Sequence, residues 1–510
     1  MHRLAALGTL VGLTALCPQS PALAAEPAAL SERYAGWSLL EVEVSSDDAL
    51  AQLLALGVDP WTDHPRPGAL RVLASPAQQA SIAATDWTTR ILVADAQLPV
   101  DDERTRLSLR PPAQGGASFF AEYRDLAEID AQLDASAADH PELATIVELG
   151  DSIEGRPIRG LWITEAGDAD RPTLLITGGQ HAREWIAVSS AMYLAEQLIA
   201  RAGEPMYADA LSQLQIVIVP VVNPDGYAFT WTNQRYWRKN RRDGVGVDIN
   251  RNFGHGWGGE GASAVPEEEN YAGPAAFSEP ETQAIRDFVL AHPELVGHLD
   301  LHSFGELVLY PWGDVYEAAP DDLQLSATAN AAASAMSTNG REYTALQGVN
   351  LYPAAGNVID WTYGEADLHA LTFELRPSFE DEDVGFVIGP EQIVPCGDEA
   401  LAGLWALIDW ADVDAPDPST GDDGSSSSSG ESSTSSEGSS STTADGSSSG
   451  TESSSTTTVA GSSSSDAERS TTAAPADGDG SGCGCTQHPG ARGGVIALVA
   501  ITLLGRRRRR

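Results

Sequence analysis

The stretch RPTLLITGGQHAREWIAVSSAMYLAEQLIA, residues 171–200, decides the fold. Thr173 to Thr177 is an uninterrupted apolar run, which predicts a strand buried on both faces. Gly178-Gly179 lets the backbone turn sharply. From about Trp185 to Ala200 the spacing predicts a helix. A buried strand that feeds a helix through a tight turn is one unit of an α/β domain.

The same grammar extends outward in both directions. Leu214 to Val222 (LQIVIVPVV) predicts a second buried strand, closed by a turn at Asn223-Pro224-Asp225-Gly226. Ser278 to Glu281 predicts a capping box that opens a helix to about Ala291. Val296 to Leu301 and Leu371 to Leu375 predict two more strands. Residues 115–412 are therefore read as one α/β domain with a largely buried sheet flanked by helices. Ahead of it, residues 26–110 alternate between short strand and helix patterns: Trp37 to Val44, Asp47 to Leu56, Leu70 to Leu73, Pro76 to Ala84 and Arg90 to Val93. That order predicts a small α+β module. Asp101 to Pro112 carries Arg104, Arg106 and Arg110 without core periodicity, and reads as an exposed basic linker of the kind proteases cut.

The ends of the chain read differently. His2 and Arg3 precede the apolar run Leu4 to Leu16, and Ala22-Leu23-Ala24 gives a small-x-small cleavage pattern, so residues 1–24 are expected to be a secretory signal. Residues 416–482 are Ser, Thr, Gly and Asp with few apolar groups, the composition of a flexible stalk. Residues 483–510 hold Cys483 and Cys485, an apolar run from Gly493 to Gly505, and Arg506 to Arg510. With a formal net charge of -43, the 510-residue chain is a poor partner for nucleic acid, whose phosphates need Lys and Arg. Only Cys396 of the four cysteines falls in the folded body, so no disulfide framework is available there.

Chemistry concentrates after the first strand, in Gly178-Gly179-Gln180-His181-Ala182-Arg183-Glu184. His181 and Glu184 are three apart, the spacing at which side chains of one helical turn project together. A catalytic zinc takes three protein ligands and leaves one position open. Of the ten histidines, those in the leader, the tail, polar stretches, a helix end and a Gly-rich loop are poor third ligands. His302 lies at a strand end, where sites in open α/β sheets usually sit. His298 shares its parity on the same strand and stays open as the alternative.

Five segments then occur in one order across 115–412. They are Gly178 to Trp185; Asn223-Pro-Asp-Gly-Tyr227 with Trp237-Arg238-Lys239; Gly246-Val-Asp-Ile-Asn250-Arg251-Asn252-Phe253; Leu301-His302-Ser303 with Leu309-Tyr-Pro-Trp-Gly313; and Ile359-Asp-Trp361 through Thr372-Phe-Glu374-Leu375. Together they resemble the zinc metallocarboxypeptidases of the pancreatic A/B type. The resemblance implies a mixed sheet and one zinc per catalytic domain, held by His181, Glu184 and His302. It implies that Glu374 is the general base and Arg238 the oxyanion donor. Asn250 and Arg251 would grip the substrate's terminal carboxylate, with Arg183 assisting along the groove. Tyr352, nine residues before Trp361, aligns with a tyrosine that caps the bound substrate. Ile359 aligns with the base of the specificity pocket, where an apolar residue implies apolar or aromatic C-terminal residues. Asp300, on the strand of His302, is the acid that could instead admit a basic one. Phe304 stands where mammalian members carry tyrosine.

The first module resembles the family's activation propeptide, which implies an activating protease. The tail resembles a myxosortase-type sorting signal, which implies surface sorting machinery. The expected protein is a secreted monomer, anchored through that tail, acting on peptide and protein C-termini. Two other readings stay open. One is a peptidoglycan-type peptidase or N-acyl amino acid deacylase on the same fold. The other is a surface binding module with a dead site.

Overall fold

A computed structural model describes residues 33–61, 66–110, 116–165, 171–338, 340–379, 381 and 385–414. The predicted leader, stalk and tail lie outside these residues. Among the described residues no helix is long and apolar enough to cross a membrane.

The N-terminal module has four strands, β1 (Ser38–Val44), β2 (Asp59–Pro60), β3 (Gly68–Ala74) and β4 (Thr89–Val93), in the order β2-β3-β1-β4. One face of this sheet packs under the helices Asp47–Leu54 and Pro76–Ala83 through Val42, Leu53, Val72 and Ile82. Its other face, with Leu39, Trp61 and Leu73, shares a cluster with Tyr236, Phe304 and Phe386 of the main domain. The module's sheet is thus covered on both faces, once by its own helices and once by the main domain.

The main domain carries β5 (Ala144–Asp151), β6 (Pro157–Ile163), β7 (Thr173–Gly178), β8 (Gln215–Val219), β9 (Leu295–Gly305), β10 (Leu307–Tyr310), β11 (Thr344–Gln347) and β12 (His369–Ser378). They form one mixed sheet in the order β11-β10-β12-β9-β7-β8-β6-β5. The centre is parallel, β12 with β9, β9 with β7 and β7 with β8. On β7, Leu174 and Ile176 enter one core and Leu175 the other, the period-two alternation of a strand with helices on both faces. The first core packs against the helix Trp185–Ala200, the second against Pro280–Ala291 and Val358–Ala366.

Three local expectations change. Asn223 to Gly226 is not a free turn but the start of the helix Pro224–Thr232. The Asn223 side chain caps it by accepting from the Gly226 N–H at 2.9 Å, and Pro224 takes the first position, where a missing N–H costs nothing. The helix Pro280–Ala291 has no side-chain cap. The Ser278 hydroxyl donates instead to Glu279 (2.7 Å), and Glu279 accepts from Arg242 and Asn240. Asp101 to Pro112 is not an exposed linker over most of its length. Residues Gln97–Leu109 are helical, with Val100 and Glu103 buried. Glu103 occupies a core position because Arg235, itself buried, donates to it at 2.7 Å. A carboxylate at an inward position hides the helical period from a reading of apolar residues alone. Residues 111–115 lie outside the described set.

Candidate metal centre and substrate cleft

The site forms at the C-terminal ends of the central parallel strands, where loops leave an α/β sheet. After β7 the chain must clear β8 at once. Gly179 has φ +63°, and a Cβ there would lie 3.0 Å from the Pro220 carbonyl and 2.9 Å from Val188. Only glycine fits this turn. The turn delivers His181 and then Glu184, which stands as the N-cap of the helix Trp185–Ala200. The pair therefore sits just ahead of the helix rather than on it.

His302, near the end of β9, completes the set. The ligand atoms of His181, Glu184 and His302 all lie within 4.8 Å of one another, and all three residues are buried. His181 Nδ1 lies 2.8 Å from Glu184 Oε1, His302 Nδ1 3.1 Å from Glu184 Oε2, and the two Nδ1 atoms 3.0 Å apart. The outer nitrogens face carboxylates: His181 Nε2 is 3.2 Å from Asp248, and His302 Nε2 is 2.6 Å from Asp300. With both Nε2–H groups donating outward, two imidazole lone pairs and a carboxylate converge on one point. That arrangement repels itself unless a cation lies between, and a His2Glu set suits zinc. The site therefore fits the metal. His298 is not part of it: four residues deeper on the strand, it bonds Thr177 and Thr362 instead.

The other expected residues gather around this centre. Glu374 pairs in register with His302 across β12 and β9, so the two side chains share a face. It is half-buried rather than deep, and lines a cleft with His181, Arg238, Tyr352 and Phe304. Arg238 is aimed by Asp248, which accepts from its Nη2 at 2.8 Å. Burial would raise the Asp248 carboxyl, but Arg238, His181 and Arg251 hold it well below the usual carboxylate range. Asn250, Arg251, Tyr352, Ile359 and Glu374 line an adjoining cavity. Asn250 is fixed by accepting the Val358 N–H at 2.9 Å, and Arg251 by donating to the Asn250 carbonyl at 2.7 Å.

Two residues behave otherwise than expected. Arg183 lines the cleft, but its Nη1 donates to Asp59 of the N-terminal module at 3.3 Å and its guanidinium stacks 4.2 Å over Phe386. Asp300 does not face the adjoining cavity. It is fully buried and accepts from His302, Gln180 and Thr177, so it offers no charge to a basic substrate side chain. The roles of Asp248 and Asp300 went unread in the sequence. The available signal was their position two residues before Asn250 and two before His302, in segments already singled out.

The module also reaches the cleft. Trp61 is one of its lining residues, packed against Tyr236 and Phe386 with ring centroids 5.4 and 5.1 Å away. Arg71 donates to the Phe379 carbonyl. With Trp61 in place the cleft keeps about 110 Å³ of free space.

Comparison with known proteins agrees with this architecture. The profile of the zinc carboxypeptidase family, M14, matches residues 129–403. Carboxypeptidase A1 of Rattus norvegicus is 33% identical over 401 residues, covering 74% of this chain and 94% of the rat protein. Carboxypeptidase B of Astacus astacus is 38% identical over 296 residues, covering 56% of this chain and 95% of that protein. The crystal structure of carboxypeptidase A from Helicoverpa armigera superposes with a TM-score of 0.67 at 29% identity, over 75% of this chain and 99% of that one. Thrombin-activatable fibrinolysis inhibitor superposes with a TM-score of 0.68 at 26% identity, over 74% and 100%. With its fold, its donor set and its sequence all in agreement, this chain belongs to the zinc carboxypeptidase family.

Proposed function

We propose that this protein removes single amino acids from the C-terminal ends of peptides, with Glu374 as general base. The observation that carries this reading is the register of Glu374 beside His302, with Asn250 and Arg251 lining the cavity that adjoins it. His181, Glu184 and His302 would hold zinc, which would supply Lewis acidity to the scissile carbonyl and the attacking water. Glu374 takes that water's proton and returns it to the leaving amine. Arg238, held by Asp248, donates to the oxygen on which negative charge develops, a contribution of roughly 3–4 kcal/mol for one good donor. Arg251 and Asn250 grip the terminal carboxylate, for which a guanidinium fork is the natural partner. Tyr352 caps the bound residue. Ile359, with Leu309, Leu351 and Ala354, gives the adjoining cavity an apolar wall and a preference for apolar or aromatic C-terminal residues.

The Asn250–Arg251 pair would also serve an N-acyl amino acid, which carries a free carboxylate; the peptide reading is favoured over the peptidoglycan-type and deacylase readings by the likeness to carboxypeptidases A1 and B. A dead binding module leaves Glu374 and an intact donor set without a purpose. The module 26–110 acts as an activation propeptide, released by an activating protease. Trp61 in the cleft and Asp59 on Arg183 support this, as does a 401-residue match to the rat enzyme, longer than residues 115–412 can supply. The leader and the tail direct a monomeric enzyme out of the cell and hold it at the surface through sorting machinery.

Metal analysis and chelation test the chemistry. The propeptide-free protein is expected to carry one zinc and to hydrolyse a blocked dipeptide ending in Phe or Leu. A chelator should abolish turnover and added zinc restore it. Undiminished turnover by zinc-free protein would contradict the proposal.

A further inference from the structure

His302 is braced from behind by a buried polar chain that the catalytic roles do not use. On β9, His298, Asp300 and His302 lie on one face by the period of two, and Asp300 pairs in register with Thr177 of β7. Thr177, Gln180, His298 and Asp300 are each no more than 1% exposed. His302 Nε2 and Gln180 Nε2 both reach Asp300 Oδ2 at 2.6 Å, and the Thr177 hydroxyl reaches Oδ1 at 2.6 Å. His298 Nε2 lies 2.8 Å from that hydroxyl, and His298 Nδ1 3.2 Å from the Thr362 hydroxyl.

The protons can be placed one by one. An ionised carboxylate only accepts, so His302 carries its hydrogen on Nε2 and presents a bare Nδ1 to the metal position. The amide of Asn250, 3.2 Å from His302 Nε2, is itself a donor and cannot take that hydrogen. Thr177 has one proton, which goes to Asp300. His298 therefore donates from Nε2 to the Thr177 oxygen, and its Nδ1 lies 3.2 Å from the Thr362 hydroxyl, which is also within 3.1 Å of the Val358 carbonyl. Burial pushes His298 down to about 4, which keeps it neutral in this role. The short contact to Asp300 selects the Nε2–H tautomer of His302. A carboxylate this deeply buried is costly unless fully hydrogen-bonded, and here three donors meet it. A hydroxyl or amide at position 300 would brace a strand at lower cost, but would not increase the ring's basicity.

We propose that Asp300 is a positioning residue that fixes the ring and tautomer of His302, supported by Thr177, Gln180 and His298, and that this brace sets how tightly the chain holds zinc. The inference rests on the metal site proposed for His181, Glu184 and His302. The zinc stoichiometry of the unmodified chain tests that site separately.

The test measures zinc affinity in the full chain by competition with a chromogenic chelator, for the unmodified protein, Asp300→Asn and Thr177→Val. Asp300→Asn keeps an acceptor but removes the charge, and is expected to weaken zinc roughly 10- to 100-fold. Thr177→Val, which strips one donor from Asp300, should weaken it by a smaller factor, about 3- to 10-fold. The visible spectrum of the cobalt-substituted Asp300→Asn protein should shift, because the geometry at His302 changes. A merely structural role would lower the melting temperature of the zinc-free protein and leave affinity and spectrum alone. Zinc affinity within threefold of the unmodified chain in folded Asp300→Asn overturns the proposal. If that variant does not fold, unchanged affinity in Thr177→Val overturns it.

Discussion

Glu374→Gln is expected to lower kcat by about 10²- to 10⁴-fold, the range of a lost general acid–base group, with zinc content unchanged. The substitution keeps size and one acceptor oxygen but cannot take a proton. Glu374 is not among the three converging donors, so the metal should stay. Its backbone bonds to β9 and β10 do not depend on the side chain, so the strand should stay as well. Substrate is held by other groups, so KM should move little. The checks are kcat, KM and zinc per chain on one preparation. Near-full turnover by this variant would assign the base elsewhere.

Cutting and removing the N-terminal module is expected to raise peptide hydrolysis at least about 100-fold. Three contacts set this figure. Trp61 lies in the cleft, which keeps only about 110 Å³ around it, well below the ~300–1,000 Å³ of ligand pockets. Asp59 occupies Arg183. Glu103 and Arg235 form a buried ion pair between the module's last helix and the main domain. Docking worth about 2.8 kcal/mol already limits the open population to about 1%. The measurement needs a site-specific protease sequence between residues 111 and 115. The intact chain is then compared with the cut protein after the module has been separated. Equal activity of the two would end the propeptide reading.

Strand and helix periods made the main sheet legible because its central strands are apolar on both sides. The ends of elements were less so. LQIVIVPVV reads as one run, but Pro220 lacks the N–H a strand needs and β8 stops at Val219. The helix Gln97–Leu109 escaped notice because Glu103, not an apolar residue, faces inward, and its partner Arg235 is 132 residues away. The zinc pair was legible by spacing, but parity alone could not choose between His298 and His302. Depth decides it: four residues of strand amount to about 13 Å, and only His302 reaches the loop end. Asp248 was harder to read as a partner of His181, since nothing local in sequence brings position 248 to position 181, whereas Asp300 shares a strand face with His302 two residues on. Asp300, open in the sequence as an acid that could admit a basic residue, instead accepts from His302, Gln180 and Thr177.

The most direct test of the central claim compares two substrates with the propeptide-free protein. One is a blocked dipeptide ending in Phe with a free carboxylate; the other is the same peptide as its C-terminal amide. If Asn250 and Arg251 hold a terminal carboxylate, free phenylalanine is released from the first and the amide is cleaved at least about 100-fold more slowly, the loss of one buried charge pair. Comparable cleavage of both, or none of the first, would contradict the assignment of this chain as a carboxypeptidase.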